Sequence, residues 1–437
     1  MRALRSLRRS LPSSSSPPTR RLLSHTRPLL YAASAALEIL PAYASSSSSP
    51  APRRRCSGRS HRGLVGAVEL LDGDVSRQFV QEYRRQHMEG EEMRYSRNPG
   101  VNNWQRRLLS DQTRAAAVAS VLAPDELIDT HCAFIKAGSD VITTFTRDLG
   151  VDNEESILDM CQGITSELDV LVEEAVACAL VARDVCGRRG VRIALEMPAQ
   201  GRHGLGLGDA PLSEEDAAAL REAYEALAEK MEPYVDIFLC GAARSAEENR
   251  VAAACAARTG KPVWVSLSHA TGGGGGLVAA VDSMEAAVAK AGLDFSAEGG
   301  GGGGGGGVDG WLLRGDADVL ARNVPDLVAA AHTAGGRVGA SVNFLTRDGH
   351  DDHGSGSGSG SGSGDSERRR DDGAFEAFRD SVVELRRDGA EIIGGGAGVM
   401  AEDIRALHTM RLDHELEVRG VAGVGRVGGA EGSKPRA

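Results

Sequence analysis

The sequence predicts an α/β protein of the (β/α)8 TIM-barrel class, with a disordered N-terminal leader, low-complexity loop inserts and a short disordered tail. Two observations predict it. Short apolar runs alternate with longer stretches of helical periodicity, and eight such pairs can be counted. The runs are also nearly continuous in apolar residues, as expected of parallel strands buried on both faces. An open doubly wound sheet is the alternative, and it is disfavoured because no G-x-G-x-x-G follows the first run.

The elements follow in order. Ala67–Asp72 (AVELLD) is the first strand. Pro124–Ala137 places Leu127, Ile128, Phe134 and Ile135 at helical spacing, and Gly138 ends it. Asp140–Thr146 (DVITTFT) is the second strand, and Ile157–Cys186 is a long helix or a helix pair. Val191–Glu196 is the third strand. Ser213 then caps a helix to about Lys230, with Glu214 and Glu215 at its positive end. Val235–Cys240, Pro262–Ser268, Val308–Leu313, Arg337–Phe344 and Glu391–Ile393 are strands four to eight. Their helices are Ala246–Thr259, Met284–Ala291, Ala317–Thr333, Phe375–Arg387 and Ala401–Met410.

The chain has 437 residues, room for one barrel at 66–412 plus extensions. Residues 1–60 are Arg- and Ser-rich, and the first acid is Glu38. That composition predicts an organellar transit peptide, mitochondrial rather than plastid. A disordered basic tail on a cytoplasmic protein is the alternative. Residues 413–437 read as a disordered tail, Gly-rich after about Arg419. Gly272–Gly276, Gly299–Gly307 and the Gly-Ser repeat Gly354–Gly364 read as flexible inserts. A net charge of −11 argues against nucleic acid, and no stretch reaches the roughly 20 apolar residues of a membrane span. The oligomeric state is left open. Seven cysteines without a C-x-x-C pair point to a reducing compartment. Cys161, Cys178, Cys186 and Cys255 read as small buried apolar residues.

Four motifs lie in order on these strands. They are Leu70-Leu71-Asp72-Gly73, the stretch from His131 through Ala137-Gly138-Ser139-Asp140 to Thr144, Thr259–Ser266 (TGKPVWVS), and Ala390–Gly395 (AEIIGG). Together they resemble the homocysteine S-methyltransferases over roughly Val68 to Met410, whose patterns read LLDGG, H…AGADVITTNTY, TGKPVWVS and GA-IIGG. The resemblance implies a barrel that transfers a methyl group to a homocysteine-type thiol. It implies zinc as cofactor, held by three cysteine thiolates with the substrate thiol as fourth ligand. A free thiol of pKa about 8.5 is only a few per cent ionised at pH 7, so a coordinating metal raises the thiolate population roughly thirtyfold.

Residue by residue, the carried-over zinc site is missing. The ligand position in the family's GVNC falls on Gly315, and the two adjacent cysteines of IIGGCCG fall on Gly396 and Ala397. The Glu of the family's FET falls within Cys240-Gly241-Ala242, and the Asn of TTNTY falls on Phe145. No metal is therefore expected, and no cofactor. Asp72, Gly73 and Thr144 remain as the substrate-binding set; catalytic residues are not identified. Asp72 either accepts from a substrate amino group or caps its turn. His131 reads as scaffold, and Trp264 and Trp311 as barrel packing.

Asp74, Glu196, Cys240, His269 and Asn343 end strands on the top face and could form a substitute metal site, but Glu196 and His269 read better as solvated loop residues. Arg314 either binds an anion or points to solvent. The expected function is a degenerate homocysteine-binding barrel that holds a small amino-acid-like thiol ligand or serves as a partner subunit. One alternative is an active methyltransferase with zinc-independent or relocated thiol activation. Another is a phosphate- or anion-binding barrel that uses the backbone N–H groups of Gly394–Gly398.

Overall fold

Eight parallel strands form one sheet that closes on itself. They are β1 (Glu69–Leu70), β2 (Val141–Thr143), β3 (Arg192–Glu196), β4 (Ile237–Cys240), β5 (Val263–Ser268), β6 (Gly310–Asp316), β7 (Arg337–Asn343) and β8 (Ile392–Gly395). The computed structural model describes residues 68–87, 118–151, 154–161, 165, 167–201, 213–241, 246–268, 308–334, 336–343 and 372–418. The strand order is β1-β8-β7-β6-β5-β4-β3-β2. A parallel bridge from Leu71 to Val141 joins its two ends. Asp140 N–H donates to the Leu70 carbonyl at 2.7 Å and Asp72 N–H to the Val141 carbonyl at 3.1 Å. The fold is thus the predicted (β/α)8 barrel.

The helices are α1 (Val75–His87), α2 (Ala119–Leu122), α3 (Pro124–Ala137), α4 (Glu154–Met160), α5 (Leu168–Val185), α6 (Glu214–Met231), α7 (Ala246–Ala257), α8 (Ala317–Ala334), α9 (Asp372–Arg387) and α10 (Ala401–Val418). The stretch read as one helix or two, 157–186, is the pair α4 and α5. Ser213 caps α6 as expected, its hydroxyl accepting from Asp216 N–H at 3.1 Å. α10 runs eight residues past its expected end at Met410. β2 stops at Thr143 because Phe145 adopts a left-handed φ of 57°, which no strand accommodates. The leader, the 284–291 helix, the three low-complexity runs, Cys56, Ala242, His269 and the chain beyond 418 lie outside the described residues.

Strand alternation builds two cores. In β4, Ile237 and Leu239 face the barrel axis, while Phe238 and Cys240 face the helices. The axial plug consists of Leu71, Val141, Ala194, Ile237, Leu239, Trp264, Leu312 and Ile392. Trp264 is its largest member and is 1 % exposed, and Trp311 packs in the outer core, so both tryptophans serve barrel packing.

Below the plug, at the N-terminal end of the strands, charges close the barrel. Glu69 is bridged by Arg192 and Arg337, the latter at 2.7 Å, and Arg411 pairs with Asp140. The Arg192 guanidinium lies 5.6 Å from the Trp264 ring centre. One device recurs here. An aspartate just before each of β2, β4 and β6 accepts the backbone N–H of the preceding strand. The pairs are Asp140 with Leu70 at 3.0 Å, Asp236 with Ile193 at 2.9 Å and Asp309 with Val263 at 2.9 Å. Each satisfies a donor at the barrel floor that the ladder leaves over.

Among the described residues no helix is long and apolar enough to cross a membrane. Because the plug depends on one large ring, Trp264→Ala is expected to cost about 3–5 kcal/mol. In urea the unfolding midpoint should drop while the slope stays near wild type.

Candidate ligand site at the barrel mouth

The polar groups of the mouth stand directly above the plug, at the C-terminal ends of β1, β2, β3 and β6. Asp72 follows β1 and is 2 % exposed. Its carboxylate accepts the Thr143 backbone N–H at 2.7 Å and the Thr143 hydroxyl at 3.0 Å. Burial pushes this carboxyl up from 3.8 to about 7; the two Thr143 hydrogen bonds pull the other way, Glu196 adds to the rise and Arg314 opposes it. Gly73 is required by close approach, since a Cβ there would sit 2.2 Å from the Val399 carbonyl oxygen. Thr144 turns away from Asp72. Its hydroxyl lies 2.9 Å from that of Thr146 and accepts Glu196 N–H at 3.3 Å, while the Thr146 hydroxyl donates to the Glu196 carbonyl. This hydroxyl chain fixes the end of β3 against the end of β2.

Glu196 is neither solvated nor in a loop. It is the last residue of β3, 7 % exposed, and its carboxylate meets Arg314 Nη2 at 2.8 Å. Arg314 points into the mouth, where it pairs with Glu196, rather than to solvent. Burial lowers its pKa from the usual value, and the neighbouring Glu196 opposes that. Its Nε–H is buried and has no acceptor among the described residues. Asp72, Glu196 and Arg314 come from β1, β3 and β6, so they reach the mouth from well-separated points around the barrel wall.

The glycine turn after β8 is closed to anions. Gly395 N–H donates to the Asp72 carbonyl and Gly396 N–H to the Val342 carbonyl. Ala397 N–H donates to Asn343 Oδ1 at 3.0 Å, and Gly398 N–H to Asp74 Oδ2 at 2.9 Å. Val399, Met400 and Ala401 donate to Gly396, Asp403 and Gln78. Every backbone donor from Gly395 to Ala401 is therefore taken, two of them by carboxylates. This corrects the expectation of a phosphate-binding turn, because an anion would find no free donor and would meet like charge.

Zinc does not fit the positions matched to the family's thiolates. Gly315, Gly396 and Ala397 carry no donor side chain. A Cβ on Gly396 would lie 2.2 Å from Asn343 Oδ1, so Asn343 fills the space a ligating side chain would need. Gly315 faces Val319 and Leu320 of α8. Among the described residues a substitute site does not assemble either. Asp74 caps α1 through Arg77 N–H at 3.0 Å. Cys240 lies in the outer core, and burial holds its thiol far above the usual range. Asn343 bridges Asp316 at 3.1 Å. No group of three or more His, Cys, Asp or Glu converges among the described residues.

Cys161, Cys178 and Cys255 are buried as expected, but Cys186 is half-buried. His131 is fully buried, its ring nitrogens have no partner among the described residues, and burial lowers its pKa to about 4. It belongs to the scaffold. Sequence reasoning missed Thr143 as the partner of Asp72, and it missed the Glu196–Arg314 pair.

Residues 70–295 match the sequence model of the homocysteine S-methyltransferase family. The match ends before positions 315, 396 and 397. A search of curated proteins found no significant match. Among solved structures, the metallated form of the homocysteine methyltransferase MmuM from Escherichia coli is 15 % identical, with a TM-score of 0.47, over 79 % of this chain and 96 % of that one. Its oxidized form is 14 % identical, with a TM-score of 0.46 over the same shares. A putative alpha-L-fucosidase from Bacteroides thetaiotaomicron is 12 % identical, with a TM-score of 0.34, over 66 % and 86 %.

The raised Asp72 carboxyl has a pH signature. Between about pH 4 and 7 the unfolded chain has released this proton while the folded chain still holds it. Its contribution to stability therefore falls as pH rises through that window. Glu174, which burial raises to about 7, acts in the same direction, and His131 acts in the opposite one. Both cancel when a variant is compared with wild type. Asp72→Asn should gain stability relative to wild type, by on the order of a few kcal/mol, as pH is raised from about 4 to above 7. Paired denaturant titrations across that range check this, and a pH-independent difference would contradict it.

Proposed function

The chain belongs to the homocysteine S-methyltransferase family, and from that premise we propose that its barrel mouth binds a small amino-acid-like ligand without zinc catalysis. One observation carries the proposal. Where the family's thiolates would converge there are bare backbone and the Asn343 side chain, while the Glu196–Arg314 pair, largely withdrawn from solvent, and the buried Asp72 occupy the polar centre of the mouth. The orphan Arg314 Nε–H is a donor suited to a ligand carboxylate. The oxygens of Asp72 and Glu196 suit an ammonium group.

A methyltransferase that ionises its thiol without zinc would need a cation free of its own counter-ion. The pairing of Arg314 with Glu196 works against that reading.

Two measurements on the purified full chain test the proposal. Metal analysis should find no stoichiometric zinc, and homocysteine should not accept a methyl group from sulfonium donors. Calorimetry should still detect binding of L-homocysteine or an amino acid of similar size. Arg314→Met should weaken that binding about tenfold or more, the loss of one charged hydrogen bond. Stoichiometric metal together with homocysteine-dependent methyl acceptance would overturn the proposal.

A further inference from the structure

Away from the mouth, two cysteines that the sequence separates by more than fifty residues meet on the outer layer. Cys132 lies in the middle of α3 and is 3 % exposed; Cys186 ends α5 and is half-buried. Each thiol donates to a carbonyl on the opposite helix. The Cys132 thiol donates to the Ala182 carbonyl at 3.7 Å, the same carbonyl that accepts Cys186 N–H at 3.0 Å. The Cys186 thiol donates to the Cys132 carbonyl at 3.9 Å. A shared acceptor and a thiol-to-carbonyl contact in each direction bring the two cysteines together, one of them buried and the other half-buried.

We propose that Cys132 and Cys186 are a modification site: a small-molecule disulfide converts them to an intramolecular cross-link between α3 and the end of α5. The half-buried Cys186 is the thiol such a reagent can reach. Its thiolate attacks the reagent disulfide, forms a mixed disulfide and expels one thiolate. The Cys132 thiol then loses its proton and attacks the Cys186 sulfur, expelling the second thiolate. Both leaving groups take up protons. The balance is two protein thiols and one small disulfide giving one protein disulfide and two small thiols. Burial, followed by the neighbouring Cys186, pushes the Cys132 thiol up to about 12, which makes the second step the slow one. The remaining described cysteines are buried and not placed against a second exposed thiol, so among the described residues this is the pair that such a reagent can join.

The cross-link has a structural consequence. α3 also carries Phe134, whose ring would lie 3.0 Å from a Cβ on Gly73, so α3 backs the β1 end of the barrel mouth. Oxidation would tie that backing helix to α5.

The test uses the full chain and excess glutathione disulfide. Peptide mapping by mass spectrometry without reduction should find the Cys132 peptide joined to the Cys186 peptide, and the intact protein should lose two hydrogens. Cys132→Ser should stall the reaction with glutathione retained on Cys186, and Cys186→Ala should leave both the cross-link and the Cys132 adduct absent. Wild-type protein that keeps glutathione on Cys186 without closing the cross-link, or that stays unmodified at both positions, would overturn the proposal. The wild-type measurement decides this even if a variant fails to fold.

Discussion

An ion pair held inside a barrel constrains everything around it. Glu196 and Arg314 are each largely removed from water, and desolvating two such ions costs several kcal/mol apiece. Only a short contact in fixed geometry offsets that cost, and the strands supply the geometry. β3 is tied to β2 through the hydroxyls of Thr144 and Thr146, which hold the Glu196 backbone on both sides. β6 is in register with β5 and β7 along its length, so Arg314 cannot slide relative to its neighbours. The plug beneath, with Trp264 at its centre, keeps water from reaching the pair from below. Asp72 owes its raised carboxyl to the same dry setting, which outweighs the Thr143 hydrogen bonds and the nearby Arg314 guanidinium that pull it down.

The turn after β8 shows the opposite economy. A run of glycines at a strand end exposes many N–H groups, and a helix N-terminus follows, which on general grounds favours an anion. Here the protein's own groups meet those donors. Asp74 serves both the start of α1 and Gly398, and Asn343 serves both Asp316 and Ala397. The polar side chains not engaged by this turn stand instead at the ends of β1, β3 and β6.

How much of this was legible in the sequence follows from the range of each signal. The strands were, because burial on both faces writes a local apolar run, as in the IFLC of β4. Their ends were less so: the left-handed Phe145 that stops β2 has no compositional mark. The choice between Thr143 and Thr144 turns on strand phase, where one residue reverses the side a chain faces. The motif names Thr143 and Thr144 together, and the folded backbone assigns the Asp72 contact to Thr143. Glu196 and Arg314 are far apart in the chain, and their meeting is a property of barrel closure that no local spacing encodes. The same holds for Cys132 and Cys186. The aspartates before β2, β4 and β6 did leave a readable trace, an acid immediately before an apolar run, but their shared role appears only when the preceding strand lies alongside.

The family match and the altered site divide the barrel in a way that physics permits. The matched residues span β1 to β5, whereas the positions lacking thiolates belong to β6 and the β8 turn. Parallel ladders are held by backbone hydrogen bonds, which do not depend on the side chain at a strand end. A ligating position can therefore become glycine without weakening the closure between β7, β8 and β1. What such a change does create is unfilled space and unpaired backbone at the rim. Asn343 takes up both, its Oδ1 lying where a Gly396 side chain would begin and accepting the next N–H in the turn. A cysteine restored at 396 would have to displace that amide and free the Ala397 donor. The rim is thus packed and hydrogen-bonded around the residues it carries, with Asn343 as the side chain that closes it.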